Sequence, residues 1–152
     1  MIIDTHAHLT SSSYNGDNGL IDGFLSAGGK FLVDIGYSLD SSLKVVENSK
    51  NSKYVYCAVG VHPDDAEKVF DNGLIEGLSS FEKCIAIGEI GLDYHYDGYN
   101  KNKQIELFER QIEIADKVNL PIIIHSRDAS KDMLDTLKAN KNHLNNGFLM
   151  HC

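Results

Sequence analysis

Six short apolar runs recur along this 152-residue chain, and segments with helical periodicity separate them. The runs predict strands over residues 1–9, 30–35, 54–61, 84–90, 122–125 and 147–151. Helices are predicted over residues 20–27, 39–48, 63–70, 74–79, 102–118 and 129–139, and a polar loop over residues 10–18. Because alternating strands and helices form βαβ units, we predict an α/β protein with a parallel sheet.

The predicted strands are almost continuously apolar, which indicates a sheet covered on both faces. An open doubly wound sheet and a closed (β/α)8 barrel both satisfy this pattern. No G-x-G-x-x-G sequence follows the first strand and no Walker sequence occurs, so the nucleotide-binding form of the open sheet is disfavoured. The length and the 42% hydrophobic content suit one core, and we expect a single domain over residues 1–152.

The charge and the cysteine content narrow the possible functions. Fourteen basic residues against 22 acidic ones give a net charge of −8, so action on nucleic acid would depend on local cations such as bound metal. Three widely spaced cysteines indicate neither a disulfide framework nor a C-x-x-C zinc site. The sequence has no membrane-spanning stretch and no signal-peptide pattern at its start. We therefore expect a cytoplasmic protein without membrane association.

Histidines and one acid lie at the carboxyl ends of the predicted strands. Five of the seven histidines have this placement, which chance would rarely give. The residues are His6, His8, His62, His125, His151 and the acid Glu89. In a parallel barrel the carboxyl ends of all strands meet at one rim, so we expect these side chains to converge on a single site.

This set of side chains is typical of a metal centre. His6 and His8 share one face of an extended strand, and divalent transition metals favour neutral imidazole nitrogen. We predict that the metal ligands are His6, His8, Glu89, His125 and His151. Solvated histidines are the alternative for the first pair, an ion-paired or helix-capping acid for Glu89, and hydrogen-bonded core histidines for His125 and His151. Two ions about 3.5 to 4 Å apart would activate water against a phosphodiester.

Two further residues are predicted to contact substrate. His62 precedes a proline at the end of the third strand, and we expect it to bind substrate rather than metal. Arg127 lies two residues after His125, and its guanidinium group suits a phosphate or a carboxylate. A solvated loop charge is an equally good interpretation of Arg127.

The chain resembles the TatD family of metal-dependent deoxyribonucleases, within the amidohydrolase superfamily of TIM barrels. The resemblance rests on IDTHAHL (3–9), GVHP (60–63), GEIGLDY (88–94), the glutamines and phenylalanine of residues 104–111, LP (120–121), HSRDA (125–129) and MHC (150–152). It implies a TIM (β/α)8-type barrel and a hydrolase that cuts DNA, typically single-stranded or at 3′ ends, with Mg, Mn or Zn.

The resemblance also implies roles for individual residues. One ion would be held by His6 and His8, and a second by His125 and His151. The catalytic residue Glu89 would bridge the two ions, and His62 and Arg127 match positions near the substrate.

The sequence departs from the family pattern at its end. Family members carry a seventh strand, an eighth strand and a further metal-binding aspartate, whereas this sequence stops at Cys152. Asp93 and Asp128 have sequence positions from which they could approach the site, but neither matches that aspartate. A complete barrel needs about 250 residues, so we expect about six of eight βα units and self-association through open sheet edges. We also expect weak metal binding and the loss of most of the metal-activated water chemistry, and an inactive chain is one of the expected outcomes.

Two alternatives to the nuclease remain. One is an amidohydrolase acting on a small amide or lactone, although a carbamylated lysine often bridges the metals in such enzymes and Glu89 takes that position here. The other is a barrel remnant without catalytic activity. Metal analysis separates the remnant from both enzymes.

Overall fold

The structure, a computed structural model, describes residues 2–11 and 19–151. Its strands are β1 (Ile2–Ala7), β2 (Gly29–Ile35), β3 (Val55–Val59), β4 (Cys84–Asp93), β5 (Ile122–Arg127) and β6 (Phe148–His151). Its α-helices are α1 (Gly19–Ser26), α2 (Leu39–Asn51), α3 (Asn72–Ser79), α4 (Lys101–Val118) and α5 (Ser130–Ala139), and Pro63–Asp65 and Lys141–His143 form 3-10 turns. No helix in these ranges has the length and apolar character needed to cross a membrane.

The six strands form one parallel sheet whose neighbours follow the order of the chain, from β1 to β6. A doubly wound sheet reverses its strand order at one point, whereas a barrel keeps the order of the chain. The sheet is therefore a curled, partial (β/α)8 barrel, and the predicted fold class is confirmed. Within the described residues β1 and β6 are its edges, and self-association through them stays a prediction.

Two apolar layers hold the sheet. The larger core contains Phe108 and Ile112 of α4, packed with strand residues such as Val59 and Ile124. A smaller cluster joins Val33, Ile35, Ala58, Ala86 and Ile123 of β2 to β5. Since both faces of the central strands are buried, their near-continuous apolar sequences follow directly.

The predicted boundaries differ from the structure in two places. The predicted helix over residues 63–70 is wrong, because only Pro63–Asp65 forms a helical turn. Val69 is 88% exposed, so this apolar residue adds no core packing that would stabilise a longer helix. In contrast, β4 and β5 extend past their predicted ends and pair as far as Asp93 and Arg127. Residues 12–18 of the predicted loop, together with residues 1 and 152, lie outside the described ranges.

Two buried glutamines of α4 fasten the ends of β3 and β4. Gln111 accepts a hydrogen bond from the Val61 N–H at 2.8 Å and donates one to the Val61 carbonyl at 2.9 Å. Gln104 makes the same pair of bonds with Asp93, at 2.9 and 2.8 Å. Helix α4 therefore fixes the backbone at Asp93 and, because Val61 precedes His62, also the backbone next to His62.

Replacing Gln111 with leucine is expected to lower the free energy of unfolding by about 3 kcal/mol. The substitution keeps an apolar volume but leaves the buried Val61 N–H and carbonyl without partners. Urea unfolding measures the change. Glu113→Leu, on the exposed face of the same helix, is the control and should stay within about 0.5 kcal/mol of wild type. Equal stability of the two variants would show that the Gln111 bonds contribute little.

Candidate metal centre

Glu89 lies at the centre of a histidine cluster at the carboxyl ends of the strands. Its Oε2 atom is 3.3 Å from His6 Nε2 and 3.5 Å from His8 Nε2. Its Oε1 atom is 2.9 Å from His125 Nδ1 and 4.0 Å from His151 Nε2. Histidines of β1, β5 and β6, and His8 just after β1, thus meet at the Glu89 carboxylate inside β4, which is the convergence that the parallel topology predicts.

The ligand atoms form two compact groups that share Glu89. In one group His6, Glu89 and His151 offer atoms within 4.8 Å of one another, and in the other His62, Glu89 and His125 do so. The family resemblance pairs His6 with His8 and His125 with His151, and in the structure His6 also lies next to His151 and His125 next to His62. His62, for which substrate binding was predicted, is therefore also placed to hold a cation.

The rings themselves pack closely. His6 Nε2 is 3.1 Å from His8 Nε2, and the His6 ring stacks on His151 with 3.7 Å between centroids. The His62 and His125 rings are 4.3 Å apart, edge to face. Imidazole nitrogen together with carboxylate oxygen is a donor set that suits a divalent transition ion, so the residues present fit such an ion.

The segment that carries His6 and His8 is tied to β2. The carbonyl of Ile35 lies 3.0 Å from His8 Nδ1, which directs the opposite nitrogen of that ring toward Glu89. The buried Asp34 carboxylate accepts hydrogen bonds from the Leu9 N–H at 2.9 Å and from Asn48 at 2.8 Å. Burial raises the pKa of Asp34. These contacts fix the chain immediately after His8.

Asp93, which the sequence places within reach of the site without a defined role, contacts the cluster through His125. Its Oδ2 atom is 2.8 Å from His125 Nε2, so the two ring nitrogens of His125 face Glu89 and Asp93. The Asp93 side chain is buried, and its Oδ1 atom accepts the His95 N–H. A carboxylate on one nitrogen of a histidine is the usual arrangement that orients the other nitrogen toward a metal. Asp128 instead pairs with the exposed His95, at 2.9 Å.

The electrostatics of the cluster favour an ionised acid among imidazoles. Burial would raise the pKa of Glu89, but hydrogen bonds with His125, His6 and His8 outweigh burial and lower it. Burial would lower the pKa of His125, yet contact with Glu89 and Asp93 raises it. Burial lowers the pKa of His151, with a further decrease from neighbouring His6. The carboxylate of Glu89 therefore stays ionised, and this charge attracts a cation.

A cavity of about 480 Å³ opens onto this cluster. Its lining includes His8, Tyr37, His62, Lys68 and Glu89. Burial lowers the pKa of His62, and the charge of His125 lowers it further. Both effects favour the neutral imidazole ring of His62 at the wall of this cavity. The cavity gives a small molecule or a chain end access to the histidines.

Arg127 lies at the same end of the sheet, two residues beyond His125. Its guanidinium carbon is 5.2 Å from the centroid of the Tyr96 ring. Within the described part of the chain, Arg127 forms no ion pair with a carboxylate. The N–H groups of its guanidinium are therefore open to an anionic ligand, in a chain whose net charge is −8.

Comparisons with known proteins agree in pointing to one family. The family model described as TatD related DNase matches residues 3–152. The chain is 39% identical to the uncharacterized metal-dependent hydrolase YabD of Bacillus subtilis, across 100% of this chain and 60% of that protein. It is 30% identical to the uncharacterized metal-dependent hydrolase YcfH of Escherichia coli, across 99% of this chain and 58% of that protein.

A solved structure shows the same architecture. The crystal structure of YJJV, a TatD homolog from Escherichia coli, matches with a TM-score of 0.85 and 28% identity, covering 91% of this chain and 56% of that one. The chain therefore spans less than two thirds of the length of the relatives that it matches.

Proposed function

The chain belongs to the TatD-related DNase family, and from that premise we propose that its histidine cluster is a divalent-metal centre for hydrolysis of DNA phosphodiester bonds. The observation that most supports the proposal is the position of Glu89 between two histidine groups. One carboxylate oxygen faces His6 and His8, and the other faces His125. That arrangement suits an acid that is shared by two ions.

The proposed ligands are the residues of the two groups. His6, His8 and His151 would hold one ion, His62 and His125 the other, and Glu89 both. A set rich in imidazole favours Zn or Mn, whereas Mg prefers oxygen ligands. When bound, such ions supply an acidified water and stabilise the charge that develops on a phosphate.

The remaining residues of the site would orient the reacting groups. Asp93 holds the His125 ring from behind, and Ile35 holds the His8 ring through its carbonyl. Arg127 offers a guanidinium fork to a phosphate next to the one that is cut. Because the chain as a whole is acidic, we propose that these local cations bind DNA at a single-stranded 3′ end rather than along a duplex.

Replacing Asp93 with asparagine is expected to lower the manganese affinity by about 10- to 100-fold, because the charge behind His125 is lost while the size is kept. Equilibrium dialysis against MnCl₂ measures the affinity. Asp128→Asn is the matched control, since Asp128 is exposed and pairs with His95 rather than with the cluster. The control should bind manganese within about twofold of wild type, since the contact between Asp128 and His95 is exposed. Equal effects of the two substitutions would remove Asp93 from the orienting role.

Release of label from a 3′-labelled single-stranded oligonucleotide, with manganese or with EDTA, tests the proposed function. Because the chain covers 60% of the Bacillus subtilis relative, the assay includes a second protein in which that relative's remaining length follows residue 152. We expect manganese-dependent release by the longer protein, with less by the present chain. Release that EDTA leaves unchanged, or hydrolysis of an amide or lactone but not of the oligonucleotide, would contradict the proposal.

A further inference from the structure

A second cavity of about 260 Å³ adjoins the metal cluster. Asp64 lines both this cavity and the larger one in front of Glu89. The second cavity also reaches Asp93, which contacts His125 at 2.8 Å. The second cavity is therefore adjacent to the cluster, at which the phosphate is proposed to bind.

Aromatic rings form one wall of this cavity. Tyr96 is 63% exposed and Tyr99 is 45% exposed, so each has a ring surface open to a ligand. Tyr99 stacks on Tyr94 with 4.5 Å between centroids and 7° between planes, and Arg127 lies over Tyr96. These contacts hold both rings at the mouth of the cavity. Open, supported tyrosines of this kind are typical of surfaces on which nucleobases stack.

The charges of the wall decide which part of a nucleotide fits. Asp64, Glu67 and Asp97 line the cavity, and among the described residues of its lining there is no lysine or arginine. Such a wall repels a phosphate but accepts hydrogen bonds from the N–H groups of a neutral ring. The nearby cation, Arg127, is not part of this lining and lies over the Tyr96 ring, 5.2 Å from its centroid. Phosphate and base are thus separated into two adjoining regions.

We propose that this second cavity is a nucleobase subsite, in which the base next to the hydrolysed phosphodiester stacks on Tyr96. The inference rests on the proposed function, because it takes the substrate to be a DNA end. It adds that the site recognises the base itself and not only the sugar–phosphate backbone. A single-stranded end is required, since a paired base could not enter the cavity.

The test compares two 5′-fluorescent oligonucleotides in the presence of manganese. One ends in a normal 3′ nucleotide and the other in a 3′ abasic tetrahydrofuran nucleotide, and both carry a phosphorothioate at the last linkage to slow cleavage. Fluorescence anisotropy gives the two dissociation constants. We expect about tenfold tighter binding of the base-bearing oligonucleotide, which is the usual effect of one stacked base.

Variants assign the preference to the ring. Tyr96→Ala should abolish the tenfold difference, and Tyr96→Phe should keep it because the ring remains. Tyr54→Ala, next to the amino end of β3 and thus at the opposite end of the sheet, is the control and should also keep it. Equal binding of the two oligonucleotides by wild type, or an unchanged preference in Tyr96→Ala, would overturn the inference.

Manganese binding, measured on the same samples, separates this inference from the proposed function. If manganese binds but no base preference is seen, the nucleobase subsite alone fails. If neither manganese nor oligonucleotide binds, both proposals fail together.

Discussion

Replacing Glu89 with glutamine is expected to lower the manganese affinity of the chain by at least about 100-fold. Loss of a residue that only hydrogen-bonds a metal ligand already lowers metal affinity by about 10- to 100-fold. Glu89 is itself a proposed ligand and contacts His6, His8 and His125 directly. Glutamine keeps the volume but removes the charge that both proposed ions share. At a manganese concentration of about 100 times the wild-type Kd, wild type should gain about 2.7 kcal/mol of stability and the variant almost none.

Thermal unfolding with and without manganese measures this difference. Glu82→Gln is the matched control, because Glu82 is exposed and distant from the strand ends that carry the cluster. The control should gain as much stability from manganese as wild type does. A manganese-induced stabilisation that persists in Glu89→Gln would remove Glu89 from the bridging role.

Replacing Gly91 with alanine is expected to lower the free energy of unfolding by about 3 kcal/mol or more. Gly91 has a φ of +144°, which side chains rarely adopt, and a Cβ there would overlap the carbonyl oxygen of His125. The overlap is with the backbone of the neighbouring strand, so no side chain can rotate away to relieve it. We expect β4 and β5 to separate at this point and the position of His125 to change.

Urea unfolding and circular dichroism measure this loss. Gly23→Ala is the control, because Gly23 lies inside α1 with no described atom within 4 Å of its added methyl group. Alanine is favoured over glycine in a helix, so this variant should gain about 0.5 to 1 kcal/mol. If Gly91→Ala unfolds at the same urea concentration as wild type, the close approach of β4 to β5 does not require glycine at position 91.

The fold could be predicted from the sequence because its main signal is repetitive. Alternating apolar and helical segments indicate a parallel sheet, and the approximate position of each strand follows from its apolar run. The predicted ends of β4 and β5 fall short of the observed ones, because polar residues such as Asp93 and Arg127 follow the apolar runs. Both residues pair in the sheet, and this pairing depends on the neighbouring strand rather than on the local sequence.

The candidate site could be predicted only in part, for a similar reason. Histidines at strand ends indicate convergence, and the structure brings His6, His8, His125 and His151 to Glu89. The sequence cannot show which rings lie side by side, because that depends on the curl of the sheet and on the packing across it. The contacts that His62 and Asp93 make with His125 therefore emerged only from the three-dimensional structure.

The most direct test of the central claim is the number of divalent ions that the chain binds. Equilibrium dialysis of the purified chain against MnCl₂, followed by elemental analysis, measures this number. We expect about two ions per chain at saturating manganese, removable by EDTA. Less than about a tenth of an ion per chain at saturating manganese would contradict a metal centre at Glu89.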